Sequence, residues 1–181
     1  KNFYYFTGLE EPNSLLLLFK EPTTILGKTG TEFIFVQNRD PQREMWNGKI
    51  LGVEGVTNRY KFNNVFLNSK FTATTFNLND YDSVLTAFRS EDIFQTYPRT
   101  RDELSRMAGV VDSLIKQYKK PIASRTTAQI LTALRGIKQL EEIAILEKAA
   151  AISVEGHNEV MKAVKPGMTE YQVQAYGEYE F

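Results

Sequence analysis

The amino-acid sequence predicts an α/β protein, strand-rich in its first part and helical in its later part. Three observations carry that reading. Short apolar runs bounded by turn-forming residues occupy the opening region. From Thr100 onward the apolar residues instead recur with the 3.6-residue period of a helix. Two Ser/Thr-x-x-Glu/Gln signatures, Thr100 with Glu103 and Thr169 with Gln172, mark helix starts at which side chain and backbone satisfy each other's N–H groups.

Taken in order, "NFYYFT" (residues 2–7) is aromatic and β-prone, and is read as a strand broken by Gly8. "SLLLLFK" (14–20) and "EFIFVQN" (32–38) are too short for helices and read as adjacent buried strands. Between them "GKTGT" (27–31) imitates the end of a phosphate-binding loop. The first glycine of that motif would fall on Pro22 and a strand follows where a helix is required, so the segment reads as a hairpin turn. Residues 53–94 are harder: "NNVFLN", "KFTATTFNL" and "SVLTAF" lean toward strand, punctuated by Asn and Asp.

Beyond Thr100, Leu104, Met107, Ala108, Val111, Leu114, Ile115 and Tyr118 form one apolar stripe that Pro121 ends. A shorter helix is expected over about 127–134, with Ile130, Leu131 and Leu134 on one side. A long one follows over about 140–164, with Glu141 and Glu142 in its first turn and Lys162 in its last, as the helix dipole prefers. A domain boundary is placed at 134–136, dividing 1–134 from 135–181. After the Pro166-Gly167 loop signal, the second capping box starts a final helix near Glu170.

Composition narrows the function classes. The 181 residues are 42% hydrophobic and 12% aromatic, which is globular rather than disordered. Lys+Arg and Asp+Glu balance at 22 each, so no global field calls for nucleic acid or an anionic membrane. There is no cysteine, which excludes disulfides, thiolate zinc and a Cys nucleophile, and fits a reducing, cytoplasmic compartment. The longest apolar run, 15–19, is far short of a membrane span. The single histidine, His157, lies on the stripe Leu146, Ala150, Val154, Met161, Val164 with no metal-ligating partner one turn away. It reads as a partly buried packing residue, and one histidine leaves little room for a Ser-His-Asp triad.

The most informative stretch is "FVQNRDPQREMWNGKILG" (35–52). Asp40-Pro41 is an N-cap with proline at the first helical position, and Gly48 is a stop, so a short helical turn leaves a strand end. Ligands gather at strand ends in α/β sheets. Two readings stand: a solvated turn with Trp46 covering the edge of the core, or a binding or subunit surface made of Trp46 with Arg39, Asp40 and Arg43.

That stretch, together with "NFYYFTGLEEPNSLLLL" and "LRGIKQLEEIAILEKAAAISVEGHNEVMKAVKPGMTEYQVQAYGEYEF", resembles the creatinase/prolidase/aminopeptidase P group, and within it aminopeptidase P. The blocks keep the family's order, cover somewhat more than half of the chain, and leave 57–130 contributing little. The resemblance implies a mixed-sheet α/β amino-terminal domain followed by the opening helices of a "pita-bread" metallopeptidase domain. That domain carries two divalent metal ions, commonly Mn²⁺, held by two Asp, one His and two Glu, which activate a water against the bond preceding proline. The ligands follow the opening helix, so no residue here inherits a metal or catalytic role, and the chain is expected to be an inert internal fragment. Trp46 matches a family tryptophan bordering the substrate cleft, often that of a neighbouring subunit; Arg39, Asp40 and Arg43 share its loop. Peptides with proline second are the implied substrates, and a homo-oligomer the implied assembly. Tyr171, Ala175, Tyr176 and Tyr179 are expected to face the catalytic sheet. A non-catalytic binding module with the same fold, and a prolidase cleaving Xaa-Pro dipeptides, remain open.

Overall fold

The computed structural model describes residues 2–74, 76–86 and 103–180. Its centre is the run "FIFV". Phe33, Ile34, Phe35 and Val36 are all 0% exposed, so this strand is covered on both faces, as a near-continuous apolar run in an α/β sheet should be. The strand, β2 (Lys28–Val36), lies between β1 (Leu15–Ile25) and β3 (Val65–Leu67) in a three-stranded sheet. β1 and β2 pair antiparallel, with Leu15 opposite Phe35 and Ile25 opposite Lys28; β2 and β3 pair parallel, with Phe35 opposite Phe66. The sheet is therefore mixed, in agreement with the expected fold class.

Alternation along β2 divides the core into two layers. Phe33 and Phe35 pack with Leu15, Ile25, Phe66 and Phe71 against Met107 of a helix, α4 (Glu103–Gln117). Ile34 and Val36 point the other way, toward Leu9, Val65 and Val56 of α3 (Gly52–Tyr60). The stripe predicted for α4 is the face that packs: Met107, Ala108, Leu114 and Ile115 are buried, and Leu104 and Val111 partly so. Thr100, half of the capping box expected there, lies outside the described residues.

Three sequence expectations are corrected. "NFYYFT" is a helix, α1 (Asn2–Thr7). Thr7 Oγ1 donates to the Phe3 carbonyl at 2.8 Å and accepts from Leu9 N at 3.0 Å, while Phe3 packs on the Leu9–Val56 layer. Burial of one aromatic ring and these local bonds outweigh β propensity, which is itself a context-dependent preference. The hairpin is present, but its turn is Leu26-Gly27 rather than 27–31. Both residues have positive φ (49° and 79°), the mark of a type I′ turn, and Lys28 already belongs to β2. Of the strand-prone segments in 53–94, only Val65–Leu67 is a strand among the described residues. Residues 68–73 form a 3₁₀ turn, Val84 makes an isolated bridge to Ile122, and the end of "SVLTAF" lies outside the described residues. Within 53–60 the helix α3 went unread because Gly52 and Gly55 dilute its apolar spacing of Val53, Val56 and Tyr60.

By compactness the chain divides into Lys1–Gln129 and Ile130–Phe181, a division falling inside α5 (Ser124–Gly136). The second unit consists of the end of α5, then α6 (Leu140–Ala163) in contact with α7 (Glu170–Glu180). Helix starts follow the sequence: Glu142 Oε2 accepts from Gln139 N at 2.8 Å, and Gln172 Oε1 accepts from Thr169 N at 3.0 Å. Burial does not. His157 is exposed, its Nδ1 2.7 Å from the Ser153 carbonyl, rather than partly buried. Of α6 only Gly156 is buried, so apolar spacing exists there without a surface to cover it. Tyr171, Tyr176 and Tyr179 are exposed for the same reason.

Candidate functional site

The loop leaving β2 builds a hook around the short helix α2 (Pro41–Asn47). Asp40 is its N-cap, with extended backbone; Oδ1 accepts from Gln42 N at 3.1 Å and Arg43 N at 3.3 Å. Pro41 starts the helix without wasting a donor. At the other end Gly48 N donates to the Glu44 carbonyl at 3.1 Å, with φ 82° and ψ 172°, a conformation essentially confined to glycine. The cap and stop read from the sequence are both present.

Arg39 and Glu44 span the hook. Arg39 Nε donates to Glu44 Oε1 at 2.9 Å, and Nη2 to Oε2 at 3.0 Å, a two-pronged pair that fixes orientation as well as distance. The Glu44 side chain is 14% exposed against 54% for Arg39. Hydrogen bonding from Arg39, aided by the Ile50 backbone N–H and opposed by partial desolvation, holds the Glu44 carboxyl below the ordinary carboxylate range. The same bond raises Arg39 further above its already high value. Glu44 thus ties the entry of the hook to its exit.

The exit is anchored in turn. Leu51 N donates to Glu11 Oε1 at 2.9 Å; Glu11 Oε2 is buried without a hydrogen bond among the described residues. Gly52 follows with φ +61°, and a Cβ there would stand 2.8 Å from Arg39 Cγ. Only glycine lets the Arg39 stem lie where it does. Beside the hook, at the carboxyl ends of β2 and β3, an open cleft of 480 Å³ is bordered by Asn38, Arg39, Leu51, Gly52, Phe66 and Lys70.

The four residues singled out from the sequence therefore share one small structure with different tasks. Arg39 and Asp40 are committed to internal bonds. Arg43 reaches outward, 3.5 Å from Asp40. Trp46 is 85% exposed and Met45 79%, so Trp46 does not cover the edge of the core, and the solvated-turn reading loses its stated purpose for that ring. The turn of α2 that directs Glu44 inward points its two successors away from the body. Glu44, Glu11 and Gly52 were missed. An acidic residue four positions after an N-cap and five after an arginine was the available signal, and it is weak. Lys28, from the phosphate-loop look-alike, donates to the Asn63 carbonyl at 2.9 Å and lies over the Phe66 ring, a structural use of its charge. Among the described residues no three His, Cys, Asp or Glu side chains converge as a metal-holding group, and no helix is long and apolar enough to cross a membrane.

The described residues thus comprise a mixed sheet layered by helices, a capped hook at the strand exit, and a helical unit that follows in sequence. Residues 1–86 match the aminopeptidase P N-terminal domain, and residues 144–181 match metallopeptidase family M24. The chain is 29% identical over 179 residues to the Xaa-Pro aminopeptidase of Haemophilus influenzae, covering 99% of this chain and 37% of that protein. It is 26% identical to the Xaa-Pro aminopeptidase of Escherichia coli, covering 99% and 39%. Its fold superposes on solved E. coli aminopeptidase P with a TM-score of 0.71 at 23% identity, over 99% of this chain and 39% of that one. The chain is similar to aminopeptidase P over both matched stretches, and spans well under half the length of these relatives.

Proposed function

We propose that the full-length protein is a metal-dependent Xaa-Pro aminopeptidase, releasing the amino-terminal residue of peptides with proline second. The observation that supports this reading most is the order of the two family matches along one chain. That chain aligns over nearly all its length with an Xaa-Pro aminopeptidase. In this proposal two divalent metal ions, Mn²⁺ by resemblance, supply the activated water and a Lewis acid for the carbonyl. Among the described residues no three His, Cys, Asp or Glu side chains converge to hold a metal, so no step is assigned to them, and in the proposal residues 1–181 are inactive alone.

What this stretch contributes, in the proposal, is a subunit surface. Trp46 projects from α2 toward the substrate side of a neighbouring copy in a homo-oligomer. A large aromatic ring at 85% exposure, flanked by an exposed methionine, is the type of residue that anchors protein contacts.

The test is hydrolysis of an Xaa-Pro-Xaa peptide by the full-length protein with Mn²⁺, beside residues 1–181 alone. Release of the first residue by the full-length protein only, abolished by a chelator, is the expected result. Cleavage restricted to Xaa-Pro dipeptides would move the protein to prolidase. Peptide binding without cleavage would make it a binding module, and release by residues 1–181 would overturn the division of labour.

A further inference from the structure

We propose that the Arg39–Glu44 pair is a positioning brace, holding α2 in one orientation so that Trp46 is presented preorganised to its partner surface. The inference rests on the reading of Trp46 given above, and extends it to residues that touch no substrate.

The argument starts from the helix itself. α2 has seven residues, too few to persist by backbone hydrogen bonding alone. Its outward residues Met45 and Trp46 bury little, so they contribute little to holding it. What fixes it lies at its ends and on its inner side. Asp40 caps the first turn, and Gly48 closes the last. Glu44 crosses the middle, joined to Arg39 through both carboxylate oxygens. The brace has its own foundation, since the Arg39 stem lies over Gly52, where no side chain larger than hydrogen fits. The chain one residue earlier is tied down by Glu11. These restraints lie at the ends of α2 and on its inner side. A single point charge could neutralise Glu44, but only a planar guanidinium fork also sets the angle of the helix. Fixing that angle before contact lowers the ordering cost when the tryptophan is engaged.

Trp46 is the only tryptophan of the 181 residues, so its fluorescence reports the hook alone. In this chain, Glu44→Ala and Arg39→Lys are both expected to lower the steady-state anisotropy of Trp46, with the far-UV circular dichroism unchanged. Glu44→Gln, which keeps the shape and one hydrogen bond, is expected to fall between these variants and the parent. Arg39→Lys retains the charge and loses the fork, so anisotropy equal to the parent's in both Arg39→Lys and Glu44→Ala overturns the brace.

In the full-length protein, Trp46→Ala is expected to raise KM for an Xaa-Pro peptide about thirtyfold. Glu44→Ala is expected to raise KM about fivefold with kcat nearly constant, and Glu44→Gln to recover part of that loss. If Trp46→Ala leaves both constants unchanged, the assignment of Trp46 to the substrate side fails, and the anisotropy arm still judges the brace. If Trp46→Ala costs activity while Glu44→Ala does not, the brace alone fails.

Discussion

The two compact units of this chain use apolar residues in opposite ways. In Lys1–Gln129 the apolar run of β2 is sealed on both faces, and helices α3 and α4 turn their stripes onto it. In Ile130–Phe181, Ile137 and Leu140 are each 81% exposed, although the helices around them are well capped. Two contacting helices cannot enclose a core of their own, since burial needs a second layer to meet each apolar face. Helix formation and helix burial are thus separate achievements. Local signals secure the first, and the second depends on which surfaces the fold brings opposite one another.

Core truncation should separate the units most sharply. Phe35→Ala removes a ring in contact with Phe66 and Phe71, 5.6 and 4.9 Å between centroids. It is expected to cost about 4 kcal/mol in urea unfolding followed by circular dichroism. Tyr179→Ala, at an exposed position, should stay within about 0.5 kcal/mol. Equal losses at the two positions would break the contrast between sealed and uncovered units.

Gly52→Ala comes next, because a methyl group collides with Arg39 and the left-handed backbone disfavours it. A loss of roughly 2 kcal/mol is expected, together with lowered Trp46 anisotropy, and wild-type anisotropy would detach the hook from its foundation. A smaller change of opposite sign is expected from Leu26→Asn. Leucine at φ 49° in a type I′ turn is out of place, and asparagine there should raise stability by about 0.5 kcal/mol. A fall in the urea midpoint would count against that turn assignment.

The smallest expected effect is a pH dependence of the hook. The Glu44 carboxyl titrates below its ordinary value of 4.5 because Arg39 bonds its charged form, with Lys49 adding to the attraction. The other charges on the hook, Asp40 with Arg43, pair with each other, and Glu54 acts on Arg39. A lowered folded-state value means that the stabilisation is complete above 4.5 and is lost as acid protonates the folded carboxylate. Trp46 anisotropy should therefore hold steady from neutral pH to 5 and decline only below the ordinary carboxylate range. A decline already complete at pH 6 would assign the hook's stability to another group.

Much of this was legible in the residues, and the exceptions have physical causes. Asp40-Pro41 and Gly48 announced α2 because capping is a matter of adjacent atoms. The α4 stripe announced its buried face because period 3.6 is intrinsic to the helix. The aromatic α1 misled because β propensity describes a half-buried surface, and that surface was supplied from elsewhere in the chain. His157 misled in the same manner, lying on an apolar spacing that nothing covers within its unit.

The class of fold, the ends of α2, the central strand and the blocks that resemble aminopeptidase P were legible in the residues alone, all carried by local bonding or residue order. Only the tertiary structure decided that Glu44 turns inward onto Arg39 while Trp46 turns out, that Gly52 is where an arginine stem must pass, and that the Lys28 charge sits over Phe66. Each of these depends on residues brought together by the chain's path, and a contact between segments leaves no periodicity in either one.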